Sequence, residues 1–185
     1  MSAQHSAPVP APSLDVRFRA GADIAIGIAL LIAPVIATAI KMVSSGWLTF
    51  VLMMAGIVWV PMWILIAVIV FTSFFARRNP YRWVRGGVGR SRVAGWLHVG
   101  TLILTMLLVP DFGDSPGAIP PPVAVLLGVP APIWEPLAVV AAPLAVICCL
   151  AAVWLVVEWI VALVARRRAT RPAPIAAPAW PQPPQ

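Results

Sequence analysis

Thirty consecutive residues, Trp47 to Ala76, carry no charged side chain. A helix needs roughly 20 apolar residues to cross a bilayer core about 30 Å thick, so this run is more than long enough. Three further stretches meet or approach that length. The first is the 21 residues between Arg19 and Lys41, with Asp23 as its one charge. The third is the 18 residues between Arg92 and Asp111. The fourth runs from Leu137 to Ala165; its first 21 residues, to Val157, are uncharged, and Glu158 follows. Composition agrees. The chain is 61% hydrophobic and 10% charged, where soluble domains run at about 45–50% and about 25%. A soluble globular domain is excluded, and so is a disordered chain, which needs low hydrophobicity and high charge. The expected fold is an all-α membrane protein, with a four-helix transmembrane domain over residues 20–165. Its spans fall at about 20–40, 47–76, 93–110 and 137–165, arranged as two antiparallel hairpins. The flanking segments 1–19 and 169–185 are rich in Pro and Ala and are expected to be disordered tails.

Sorting the charges by loop gives an orientation. Arg17 and Arg19 precede the first span. Arg77, Arg78, Arg82, Arg85, Arg90 and Arg92 lie between the second and third. Arg166, Arg167, Arg168 and Arg171 follow the fourth. All twelve arginines thus fall on one face, with Asp15, Asp23 and Glu158, for a net +9. The other face carries Lys41, Asp111, Asp114 and Glu135, for a net −2. The positive-inside rule places the arginine face, with both termini, in the cytoplasm. The total of +7 is then a polarity across a membrane, and no nucleic-acid partner is expected. The Ala, Pro and Arg richness with a single Lys points to a GC-rich bacterium, hence to its inner membrane. The first span is too long, and too interrupted by Pro34, to read as a cleaved signal peptide.

Pro34 and Pro61 mark expected kinks in the first two spans. Trp47, Trp96, Trp134 and Trp159 stand near span ends, as interfacial belt residues do. Ala25, Ala29, Ala33 and Ala37 repeat every four residues in the first span. That is a candidate packing seam at which another backbone approaches closely. Cys148 and Cys149 are adjacent on a helix, pointing about 100° apart, and read as small apolar fillers rather than a disulfide. The outer loop from Asp111 to Pro136 has an apolar middle, Val123 to Val129, too short to span; it is expected at the interface.

Ionisable residues inside spans are expensive and therefore informative. Asp23, His98 and Glu158 lie four, six and eight residues from Arg19, Arg92 and Arg166, or about 6, 9 and 12 Å along a helix. They occupy a similar band and form a candidate polar cluster. One reading joins Glu158 and His98, with Asp23, for proton or cation handling. The other gives each a local role, with Asp23 at a helix start and Glu158 on a nearby arginine. Arg77, Arg78, Arg82, Arg85, Arg90 and Arg92 are candidate contacts for anionic lipid headgroups. The run Arg85-Gly86-Gly87-Val88-Gly89-Arg90 is glycine-rich but has no Lys-Ser or Lys-Thr step to make it a phosphate loop. No catalytic constellation or metal-ligand spacing is evident, and no cofactor is expected. The chain therefore reads as a non-catalytic accessory or assembly subunit of a larger membrane complex, partnered by lipids and other membrane subunits. A small transporter or channel subunit using Glu158, His98 and Asp23 is the alternative.

Overall fold

A computed structural model describes residues 14–76, 79–112 and 118–171. The expected tails fall largely outside these, as do Arg77, Arg78 and Asp114. Among the described residues the regular structure is helical apart from a two-residue antiparallel pairing of β1 (Asp111–Phe112) with β2 (Ala118–Ile119). The helices are α1 (Leu14–Lys41), α2 (Trp47–Met54), α3 (Gly56–Ile69), α4 (Gly87–Leu108), α5 (Pro122–Leu127), α6 (Ala131–Ala138) and α7 (Ala141–Ala169). Four helical stretches among the described residues are long and apolar enough to cross a membrane: Gly21–Ser44, Gly56–Phe74, Gly87–Leu108 and Ala131–Ala169. The chain is a multi-pass membrane protein in this sense.

The second apolar run is not one helix. It breaks at Ala55, six residues before Pro61. Gly56 stands at the break and Pro61 lies inside α3, and both weaken a helix. A proline ring crowds the carbonyl four residues earlier, and the missing N–H leaves that carbonyl unpaired. For Pro61 that carbonyl belongs to Ile57, and Gly56 beside it is a poor helix former. The indole N–H of Trp59 donates to the Leu52 carbonyl in the last turn of α2, at 2.9 Å. At its other end α3 widens into a π-helical turn, Val70–Phe74, closed by Phe75 N donating to the Val70 carbonyl at 3.0 Å.

The third helix starts earlier than expected, at Gly87 rather than after Arg92. The glycine-rich run is therefore mostly helix start. Gly86 supplies the turn into it with φ +70°, a left-handed conformation open to glycine at little cost. Between α3 and α4 the chain makes a 3₁₀ turn, Pro80–Trp83, which buries Tyr81 and exposes Trp83.

Helix α4 is the central element. It packs on α7 and on α1, while α1 makes lighter contact with α3 and the π-turn. Ile26 and Leu30 from α1, Ala94 and Val99 from α4, Leu155 and Ala162 from α7, and Ile69, Val70 and Phe74 from the second span share one buried cluster. Gly95 of α4 allows a close approach to α1: a Cβ there would lie 2.7 Å from Ile26 Cδ1. Gly27 sits likewise under the ring of Phe75.

The alanine seam divides. Ala33 and Ala37 are buried, Ala29 is half-buried and Ala25 is exposed. A four-residue step overshoots the helical repeat by about 40°, so three steps carry Ala37 about 120° around from Ala25. The face that α1 buries instead follows mixed three- and four-residue steps: Asp23, Ile26, Leu30, Ala33, Ala37 and Lys41. Trp134, expected at the interface, is buried. Trp47 and Trp96 are each about half-exposed.

Candidate functional site

Charged residues tie the helices together at both ends of the bundle. At the arginine end, Arg92 on α4 donates through Nε to Asp23 Oδ1 of α1 at 2.8 Å, with Nη2 2.7 Å from the same oxygen. Asn79 Nδ2 reaches Asp23 Oδ2 at 3.5 Å, while its Oδ1 accepts from the backbone N–H of Tyr81 at 2.9 Å. Nearby on α4, Arg90 grips Glu158 of α7 in a fork: Nε to Oε1 at 2.6 Å and Nη2 to Oε2 at 3.2 Å. Trp154, one turn earlier on α7, adds its indole N–H to Oε1 at 3.3 Å. Paired N–H donors on a carboxylate are among the stronger charge-assisted bonds.

These contacts place the predicted residues as follows. Asp23 and Glu158 lie near the same end, but each is held by its own arginine. Arg90 and Arg92, placed by the sequence in a headgroup-facing loop, are helical and face these acids. Arg82 and Arg85 are exposed, beside exposed Trp83. His98 is buried and belongs with Cys148 instead. Its Nδ1 lies 3.2 Å from the Cys148 carbonyl and 3.4 Å from the Cys148 thiol. The carbonyl can only accept and the thiol can donate, so which of the two Nδ1 bonds depends on the tautomer of the ring.

Tyr81 is packed under the arginine end, against Phe74 at a ring separation of 5.6 Å. Burial pushes its phenol pKa well above the ordinary value, and the negative charge of Glu158 adds to the rise; the phenol oxygen has no hydrogen-bond partner among the described residues.

The opposite end holds a site that sequence reasoning missed. Lys41, at the end of α1, lies 3.3 Å from Asp111 Oδ2, with both side chains almost fully buried. Lys41 Nζ also donates to the Val109 carbonyl at 3.1 Å. Asp111 in turn caps α2. Its carboxylate accepts from the backbone N–H groups of Gly46 at 2.9 Å, Leu48 at 2.6 Å and Thr49 at 3.0 Å, and from the Thr49 hydroxyl at 2.7 Å. Gly46, just before α2, has no side chain with which to cap it. A carboxylate at a helix N-terminus satisfies orphan N–H groups and meets the positive end of the dipole. A signal was present in the sequence. Lys41 is the sole lysine, stands on the arginine-free face, and ends its span at the level where Asp111 ends another.

Between the two charged ends lies a cavity of about 210 Å³. It is bounded by Pro34, Ala37, Thr38 and Lys41 of α1, by α2 and α3 around their break, and by His98, Leu102 and Met106 of α4. Its walls are almost wholly apolar, and four methionines, Met42, Met53, Met62 and Met106, contribute to them. The Trp63 ring lines it too, and the indole nitrogen of Trp63 is buried without a hydrogen-bond partner. Among the described residues, no group of three or more His, Cys, Asp or Glu is placed to hold a metal ion. No family model, curated protein or solved structure gives a significant match to this chain.

Proposed function

We propose that this chain is a non-catalytic accessory or assembly subunit of a larger membrane complex in a bacterial inner membrane. Its four spans form two antiparallel hairpins with both termini in the cytoplasm. One observation carries the reading: three ion pairs, Asp23–Arg92, Glu158–Arg90 and Lys41–Asp111, use charged groups in and beside the spans to join one segment of chain to another. Charges fixed in this way hold a scaffold together. A proton- or cation-handling centre built from Glu158, His98 and Asp23 has less support, because both carboxylates face arginines and His98 turns to Cys148. Exposed Arg82 and Arg85 with Trp83 suit the anionic headgroups of the cytoplasmic leaflet. The partners are other membrane subunits, recognised through the apolar outer faces of the helices.

Purification from its native membrane in a mild detergent, followed by native mass spectrometry, tests this reading. The expected result is a defined heteromeric mass; a lone chain with lipid overturns it. For the orientation, a reporter fused after Arg168 is expected to be cytoplasmic, and one inserted in the 111–136 loop to lie outside. The reverse pattern rejects it.

A further inference from the structure

The ion pairs at the arginine end leave part of its charge unmatched. Arg90 and Arg92 are taken by Glu158 and Asp23. Arg82, Arg85, Arg166, Arg167 and Arg168 have no ion-pair contact with a carboxylate among the described residues. Arg166 is half-buried and the other four are exposed. Like charges gathered at one end of a bundle repel one another, and an anion set among them relieves that repulsion.

These arginines fall into two sets, and the fold holds the sets side by side. Arg82 lies in the 3₁₀ turn Pro80–Trp83, which is capped by the Asn79 side chain, anchored by fully buried Tyr81 and packed on α7. Arg85 follows in the same connection. Its carbonyl accepts from Arg90 Nη1 at 3.0 Å, and Arg90 is itself gripped by Glu158 of α7. On α7, Ala162 is buried in the cluster that contains Tyr81. Arg166 stands four residues further, on the same face of the helix, and Arg167 and Arg168 share its last turn. Trp83, between Arg82 and Arg85, is 51% exposed, and an exposed indole at the end of a span belongs at the level of the lipid headgroups. The anions at that level are phosphates, which guanidinium groups grip through paired N–H donors.

A lipid with one phosphate engages one set. A lipid with two phosphates on a short glycerol link engages both, and its second contact forms at the high effective concentration set by the first. The protein already holds the two sets together, so bridging them requires no rearrangement. We propose that the 80–85 connection and the end of α7 form a single site for a phospholipid with two phosphates, a cardiolipin. One phosphate sits on Arg82 and Arg85, the other on the arginines that end α7. This rests on Arg82 and Arg85 facing anionic headgroups, and names the lipid they hold.

The test uses the full chain in mild detergent and native mass spectrometry with three lipids. These are tetraoleoyl cardiolipin, dioleoyl phosphatidylglycerol at equal total phosphate, and dioleoyl phosphatidylcholine. The expected result is a single bound cardiolipin, held about tenfold or more tighter than phosphatidylglycerol, a modest gain for a second linked contact. Either Arg82→Gln/Arg85→Gln or Arg166→Gln/Arg167→Gln/Arg168→Gln should bring cardiolipin down to the affinity of phosphatidylglycerol, because bridging needs both sets. Cardiolipin and phosphatidylglycerol bound alike, and both above phosphatidylcholine, overturns the two-phosphate site and leaves the headgroup reading standing. No preference for either over phosphatidylcholine overturns both, and the unmatched arginines then face an acidic segment of another subunit. Variants that weaken both anionic lipids in parallel reveal a diffuse surface charge and overturn the site as well. The substituted side chains have no carboxylate partner among the described residues to lose, so the variants are expected to fold. The comparison of lipids on the unaltered chain decides in any case.

Discussion

Asp111 joins two jobs in one carboxylate: counter-ion to a buried ammonium and cap to a helix more than sixty residues earlier in the chain. Removing it leaves Lys41 charged, buried and uncompensated. Breaking a buried pair from one side costs about 3–5 kcal/mol, so Asp111→Ala is expected to lower the thermal unfolding midpoint in detergent by many degrees. The double variant Lys41→Met/Asp111→Asn should recover much of the loss, because it removes the stranded charge and keeps one oxygen for the α2 N–H groups. No recovery would show that capping, not pairing, dominates. Tyr81 gives a second test at this scale. It is the one tyrosine in the chain, and its pKa is raised by burial. A neutral form favoured by folding adds stability that is fully present below the unfolded pKa, about 10, and is lost as pH rises beyond it. Alkaline titration should therefore show phenolate absorbance appearing together with loss of helical signal, and not before it. A simple titration near pH 10 in the folded protein would contradict this placement. These residue-scale features were only partly legible. Sequence distance hid the Lys41–Asp111 pair, since nothing local links two charges at the ends of different spans.

The elements were legible where a single strong force sets them. Hydrophobic length alone found the four spans. Helix boundaries were another matter, because a helix and its membrane-crossing part need not coincide. Helix α4 continues past Arg92 and Arg90 to Gly87, since those arginines have acids to meet and do not have to leave the helix to find water. The second span was expected to bend at Pro61, but Pro61 lies inside α3 and the break falls at Ala55, beside Gly56. Packing on α1 was read from an alanine repeat whose period is slightly wrong for a helix, so Ala25 rotated out of the contact while Ala29, Ala33 and Ala37 stayed in or beside it. The close approach at Gly95 joins them. There Gly95→Ala would push Cβ against Ile26, with an overpacking cost of about 1–3 kcal/mol. Shortening the neighbour should relieve it: Gly95→Ala/Ile26→Val is expected to unfold at a higher temperature than Gly95→Ala alone. If the double variant is the less stable one, the α1–α4 contact lies elsewhere.

At the scale of the whole molecule, the three ion pairs among the described residues each draw one partner from the segment between Arg90 and Asp111. Arg90 and Arg92 sit on α4, and Asp111 follows it directly; their partners lie on α1 and α7. That α1 and α4 run in the same direction follows from two contacts, Asp23 with Arg92 near their starts and Lys41 with the segment just past the end of α4. Exchanging the charges of one pair should test whether it acts as a pair: Asp23→Arg and Arg92→Asp are each expected to reduce the amount of folded protein in the membrane, and their combination to restore part of it. Failure of the combination to improve on either single change would mean that each charge serves something other than its partner. The distribution of partners also bears on biogenesis. A chain enters the membrane from its N-terminus, so α1 arrives with Asp23 and Lys41 both lacking their counter-charges, and α2 arrives before the residue that caps it has been made. The first half of the protein thus waits on groups that only the segment from Arg90 to Asp111 provides. The contacts that close the first half of the protein are therefore complete only once the third span and the segment after it have been made.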